Sequence, residues 1–168
     1  MVTVVAECST VADRIRAVPD PEIPVLSIDD LGIVRDLRVD DKARRVHVVI
    51  TPTYSGCPAM RAIEQSIEHA AQSAGFTVEV ETRLSPAWTT DWMSESGKAA
   101  LQRFGIAPPS TTRTTGGPVS VAVQRRRVAC PVCGSEDTEE LSRFGATACK
   151  ALRRCRSCRE PFEEFKTL

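Results

Sequence analysis

Seven cysteines are spread unevenly along this 168-residue chain, and four stand in two C-x-x-C pairs: Cys130 and Cys133 in CPVC, Cys155 and Cys158 in CRSC. Each pair sets two thiols on one tight turn so that both sulfurs can face one ion. Two such knuckles supply the four thiolates of a tetrahedral zinc site. The 21 residues between the pairs slightly exceed the usual spacing of about 15–20, but that loop is not sterically fixed. Two other chemistries fit the same residues: redox dithiols or a disulfide staple, and an iron–sulfur centre, because thiolate tetrahedra suit both metals. Zinc is favoured on physical grounds, since a module of about 40 residues with few large apolar side chains could hardly fold without a staple. Cys149 either replaces a ligand or stays buried, and burial is the favoured reading.

A different kind of cysteine sits in TPTYSGCPAM, residues 51–60. Cys57 follows a Ser-Gly turn and precedes Pro58, a residue suited to the first position of a helix. Free amides and the helix dipole would then favour an anion there, so the spacing predicts a thiolate that forms more readily than in a peptide. Gly56 allows a sharp turn, while Thr51, Thr53, Tyr54 and Ser55 place hydroxyls around the sulfur. From spacing alone a reactive or metal-binding thiol and a small N-cap residue remain equal readings. DPEIPVLSIDDLG, residues 20–32, adds carboxylates on a proline-stiffened loop: Asp20, Glu22, Asp29 and Asp30. They suit a metal or a basic partner, or, as the commoner outcome, caps on a solvated surface. His47 in a strand and His69 on a helix have no recognisable partner in the sequence and read as structural or solvent-facing.

The elements that must position these groups are legible in outline. STVADRIRAVPDPEIP offers a Ser9/Thr10 cap and helical spacing of Val11, Ile15 and Val18 up to Pro19. LGIVRDLRV and VHVVITPT, separated by the charged turn DDKARR, predict an antiparallel hairpin. Residues 58–74 place Met60, Ile63, Ile67, Ala70 and Ala74 on one helical face, with Gly75 as the stop. FTVEVETRL reads as a half-buried strand, Phe76, Val78 and Val80 inward and Glu79 and Glu81 outward. A further helix is expected over about Ser94–Phe104. This order predicts an α+β domain, a small sheet packed by helices, over residues 1–106. The Pro-, Gly-, Ser- and Thr-rich stretch 107–118 reads as a linker, and 119–168 as a zinc-ribbon-like module.

Composition narrows the function classes. Residues 1–107 carry 11 Lys+Arg against 15 Asp+Glu, and 108–168 carry 11 against 7, so the neutral total hides a −4/+4 asymmetry. A basic tail with Arg125, Arg126 and Arg127 points weakly to nucleic acid. Only Phe144, Phe162 and Phe165 are there to stack bases, however, so nucleic acid is disfavoured. No apolar run approaches the ~18 residues of a membrane span, and MVTVVAECSTVADRIRAV lacks a secretory pattern, which predicts a reducing cytoplasm. There is no Ser-His-Asp spacing, phosphate-binding glycine loop or nucleotide fingerprint. Two histidines in the whole chain cannot build paired Glu-x-x-His di-iron helices. The expectation is a protein that is not itself catalytic.

Taken together, DPEIPVLSIDDLGIV, TPTYSGCPAM and PAWTTDWMSESGKAALQRFGIAPP resemble the metal–sulfur cluster assembly family. With CPVCGS and FGATACKALRRCRSCREPFEEFK added, the chain is similar to members that accompany the multisubunit phenylacetyl-CoA epoxidase of aerobic phenylacetate catabolism. The resemblance implies an accessory or maturation factor that helps install iron or a cluster in the oxygenase or reductase component. The runner-up is an integral, non-catalytic part of that complex. The family's functional thiol carries over onto Cys57 and its acidic segment onto Asp20, Pro21 and Glu22, with Thr51, Thr53 and Ser55 in support. Implied cofactors are one structural zinc and a transient iron or iron–sulfur cluster. A cluster held by one Cys57 per chain is easier to ligate between two copies, which points to a homodimer.

Overall fold

The computed structural model describes residues 10–110 and 127–168, and these form two compact units, one ending at Ala87 and the other beginning at Trp88. In the first, helix α1 spans Val11–Arg16, strands β1 and β2 span Val34–Asp40 and Arg45–Ile50, helix α2 spans Met60–Ser73 and strand β3 spans Thr77–Thr82. A capping box starts α1: the Asp13 amide donates to Thr10 Oγ1 at 3.2 Å while the Thr10 amide donates to Asp13 Oδ2 at 3.0 Å. The hydrogen bond from the Thr10 hydroxyl, followed by the one from its amide, holds the Asp13 carboxyl below its usual pKa. The sheet order is β1-β2-β3. The β1/β2 hairpin is antiparallel and β2/β3 parallel, so the chain must cross over between β2 and β3, and α2 is that crossover.

Burial explains the placement. Val46, Val48 and Ile50 of β2, Ile63 and Ile67 of α2, Ile15 of α1 and the loop residues Ile23, Leu26, Ile28, Leu31 and Ile33 form the buried set. The helical face differs from expectation by one position: Ala71, one turn after Ile67, is fully buried, while Ala70 and Ala74 are only half-buried. Val78 and Val80 are likewise only half-buried, because β3 is an edge strand. On the opposite sheet face Arg38, His47 and Glu79 lie in register. His47 does have a partner, its Nε2 lying 3.4 Å from Glu81 Oε2.

One arginine locks the hairpin to the helix. Arg44, at the β1/β2 turn with φ +53°, donates to the Ala74 and Gly75 carbonyls at 2.8 and 3.2 Å, and its guanidinium stacks 3.9 Å from the Phe76 ring centroid. It thus satisfies carbonyls left open at the end of α2. Gly75 has φ +79°, and a Cβ there would meet Arg44 Nη2 at 2.9 Å. Gly75→Ala is expected to cost about 1–2 kcal/mol from the left-handed backbone, with the Arg44 bonds lost in addition. A urea-unfolding midpoint checks this.

The second unit holds helix α3 (Glu95–Phe104), capped by Ser94 and ended by Gly105 at φ +89°, followed by strand β4 (Ile106–Ala107). Strands β5 (Thr138–Ser142), β6 (Lys150–Cys155) and β7 (Pro161–Phe165) complete a sheet of order β4-β7-β6-β5. The unit boundary at Ala87/Trp88 precedes the expected linker because β4 pairs in parallel with β7, Ile106 against Glu163 and Ala107 against Glu164. Most of the linker, residues 111–118, and the first residues of the expected 119–168 module lie outside the described residues. With few large apolar side chains, the ribbon takes ion pairs inward instead: Arg153 Nη1–Glu164 Oε2, buried, at 3.1 Å and Lys150 Nζ–Glu163 Oε2, partly buried, at 2.7 Å. Among the described residues no helix is long and apolar enough to cross a membrane.

Candidate functional site

The two cysteine knuckles are near-copies of each other. Cys130 N–H donates to the Ser135 carbonyl and Cys155 N–H to the Glu160 carbonyl, each at 2.9 Å. Each turn is completed by a left-handed residue four positions after its first cysteine, Gly134 at φ +75° and Arg159 at φ +69°. The Ser135 and Ser157 hydroxyls bond across the pair at 2.8 Å. CRSC is also the link between β6 and β7, so the second knuckle is the tip of a hairpin. Arg159 carries no sequence signal for its left-handed conformation, which glycine supplies in the first knuckle.

All four sulfurs, of Cys130, Cys133, Cys155 and Cys158, lie within 4.8 Å of one another. Cys130 Sγ is 3.8 Å from Cys158 Sγ and Cys133 Sγ 3.6 Å from Cys155 Sγ. A tetrahedron of metal–sulfur bonds about 2.3 Å long has edges of about 3.8 Å. The donor set therefore fits one ion. None of the four is in a disulfide, and Cys130 and Cys155 are buried while Cys133 and Cys158 are exposed. N–H groups of Cys158 and Ser157 pull the Cys155 thiol down to about 6 despite its burial. Cys158 is driven upward: the Glu160 amide opposes the shift, but partial loss of water around the sulfur and the neighbouring sulfurs of Cys133, Cys155 and Cys130 outweigh it. Four sulfurs this close could all ionise together only around a cation. Cys149 stands apart from this group, buried with its sulfur 3.0 Å from Thr147 Oγ1.

The Cys57 turn is built differently from expectation. Helix α2 begins at Met60 with Ala59 as N-cap and no side-chain cap, so Pro58 precedes the helix and Cys57 lies farther out. Its N–H donates to the Tyr54 carbonyl at 3.1 Å, and its carbonyl accepts from Met60 N–H at 3.4 Å. Gly56 is not in the left-handed region, and a Cβ there would meet only the Tyr54 ring, at 3.6 Å. The thiol is half-buried, and its pKa is raised rather than lowered. Burial is the largest cause, and the charges of Glu22 and Asp20 add to it; the Ala59 amide and the Thr53 hydroxyl pull the other way without prevailing.

That balance shows which groups the fold brings together. Asp20 is buried, its Oδ1 accepting from the amides of Glu22 at 2.9 Å and Ile23 at 2.7 Å, and its own amide donates to the Leu26 carbonyl at 2.8 Å. It therefore closes its own loop, and Glu22 is left exposed on that loop. Both carboxylates act on Cys57, as does Thr53. Thr51 is buried with its amide on the Ile33 carbonyl, and Ser55 is exposed; neither is among the groups shifting the thiol. Asp29 and Asp30 serve elsewhere, Asp29 lying 3.6 Å from Arg16 and Asp30 accepting from the Ser27 hydroxyl. Glu22→Gln removes one of the two charges and is expected to lower the Cys57 pKa in part. Iodoacetamide labelling of Cys57 near pH 8 should then run faster in the variant than in the parent, the difference closing at high pH.

Comparison with known proteins bears on both halves. Residues 9–82 match the family described as "Iron-sulfur cluster assembly protein", and residues 114–166 match "PaaD zinc beta ribbon domain". Over 152 residues the chain is 47% identical to a protein of Escherichia coli (strain K12) named as a putative subunit of 1,2-phenylacetyl-CoA epoxidase, covering 90% of this chain and 87% of that protein. The chain belongs to the same family as that epoxidase component. Over 77 residues it is 34% identical to "Protein AE7-like 2" of Arabidopsis thaliana, covering 44% of this chain and 52% of that one. The solved "Domain of Unknown Function DUF59" from Bacillus anthracis is 28% identical and covers 54% of this chain and 87% of its own, with a TM-score of 0.49. As a member of the epoxidase-component family the chain carries both the cluster-assembly half, which holds Cys57, and the ribbon, which holds the four-sulfur group.

Proposed function

We propose that this protein is a maturation factor of the phenylacetyl-CoA epoxidase system, carrying iron or an iron–sulfur cluster on Cys57 to the oxygenase or the reductase. The observation that supports this reading is the grouping of a half-buried thiol with Asp20, Glu22 and Thr53 in the half of the chain that matches cluster assembly proteins. Without cargo, burial first and the two carboxylates second shift the thiol toward its protonated form. When a cation arrives the carboxylates attract it, and the cation's own charge favours the thiolate, so that the thiol yields its proton to solvent as the metal–sulfur bond forms. One thiol cannot complete a cluster's ligands, so a second copy of the chain or the client supplies the rest.

In the same reading the ribbon holds zinc. Its sulfurs all lie within 4.8 Å of one another, which suits one ion, whereas a polynuclear cluster must fit sulfide and several irons between its cysteines. Zinc has no redox role there and leaves no open coordination position. The ribbon is then a closed structural module. The test of the function is to express the oxygenase and reductase with and without this protein and to measure their iron and acid-labile sulfide. One of the two should lack metal when the protein is missing. Full metal content in both would refute the reading.

A second reading draws on the relative's name. A relative named as a component of the epoxidase suggests a non-catalytic protein that stays in the complex. Co-purification with active enzyme at fixed stoichiometry favours that reading, and transient association during maturation favours the first.

A further inference from the structure

We infer that the metal of the four-cysteine site is what keeps residues 88–107, the segment containing α3, folded: α3 is a metal-dependent element of the ribbon. This rests on the reading of the four sulfurs as a metal site. Three connections carry it. Cys130 and Cys155, two of the four ligands, share one buried cluster with Val128, Phe162 and Ala107, and Ala107 is the last residue of β4. β4 extends the sheet by pairing with β7, and β7 is held in place by the knuckle that joins it to β6. At the other end of the segment Trp88 packs on Phe165 of β7, ring centroids 6.0 Å apart, while the Thr90 amide and hydroxyl donate to the Leu168 carbonyl at 3.2 and 3.3 Å.

By itself the helix of this segment is short. An isolated helix shorter than ~12–15 residues is marginal in water, and α3 has ten. Its buried residues include Gly97 and Leu101, and Met93, Ile106 and Ala107 flank it on the buried side. Strand β7 is the template for both ends of the segment, and the apolar cluster beneath it contains two metal ligands among its five residues. Releasing the ion removes the staple of the β6/β7 hairpin and, with it, the surface on which Trp88 and β4 rest.

The chain reports this directly, because its two tryptophans, Trp88 and Trp92, both lie in the segment. In the full-length protein, a strong zinc chelator is added while ion release is followed with a chromogenic dye and tryptophan emission is recorded in parallel. Amide hydrogen exchange is measured for α2 and α3. The expected result is a red shift and a severalfold rise in acrylamide quenching in step with release. Protection should be lost in α3 and kept in α2, and zinc should restore both signals. Complete release with unchanged emission and α3 protection overturns the inference while leaving the metal site standing. Simultaneous loss of α2 protection overturns it as well, since the effect would then be global. Fresh protein containing no bound metal overturns the site reading and the inference together.

Discussion

Replacing Cys155 with serine, or stripping the bound ion with a strong chelator, is expected to unfold the ribbon outright. Structural zinc contributes about 10–16 kcal/mol to small thiolate domains near neutral pH, which equals or exceeds the ~5–15 kcal/mol net stability of a typical domain. The described ribbon has little to set against that loss. Its buried cluster of Ala107, Val128, Cys130, Cys155 and Phe162 includes two of the ligands themselves. The ion pair Arg153–Glu164 is buried and Lys150–Glu163 partly so, so their desolvation cost offsets much of their attraction. Arg153 Nε is also buried with no partner among the described residues. The first unit has its own apolar core, from Ile15 to Ile67, and should persist. Circular dichroism and metal stoichiometry before and after chelation check this; a folded, metal-free ribbon would contradict it.

Cys57→Ser is expected to have the opposite profile: near-wild-type stability and ribbon metal content, with loss of delivery to the client. Serine is close to cysteine in size, and the turn is held by backbone bonds, Cys57 N–H to Tyr54 and Met60 N–H to Cys57, which the substitution leaves intact. A hydroxyl at that position has far too high a pKa to ligate iron as an anion, so the carboxylates of Asp20 and Glu22 would be left to hold the cargo alone. We expect the unfolding midpoint to move little and client activation to fall to the level found without the protein.

Features that depend on local spacing are readable in the sequence. The C-x-x-C pairs specify their ligand geometry within four residues each, and the capping box at Thr10 and the Gly105 stop are equally local. The alternation in β2 and the apolar face of α2 indicate the hairpin and the crossover helix, with the last buried position at Ala71 rather than Ala70. Features set by contacts distant in sequence are not readable in the same way. Residues 88–107 fold with the ribbon because β4 finds β7, a pairing that leaves no periodic mark in a two-residue strand. The sign of the Cys57 shift escapes spacing for the same reason. Proline spacing suggests a thiol at a helix start, whereas the helix begins at Met60 and the deciding influences are burial and two carboxylates from a loop about 35 residues earlier in the chain. That loop and turn are adjacent only once β1 and β2 have paired.

If Cys57 is the sulfur through which cargo passes, iron transfer must depend on it. The most direct test loads wild-type and Cys57→Ser protein with ferrous iron and sulfide under anaerobic conditions, adds metal-free oxygenase or reductase, and measures iron in the re-isolated client. The prediction is iron transfer from the wild-type protein and only background transfer from the variant, with ribbon metal equal in the two. Equal iron transfer from both proteins would contradict it.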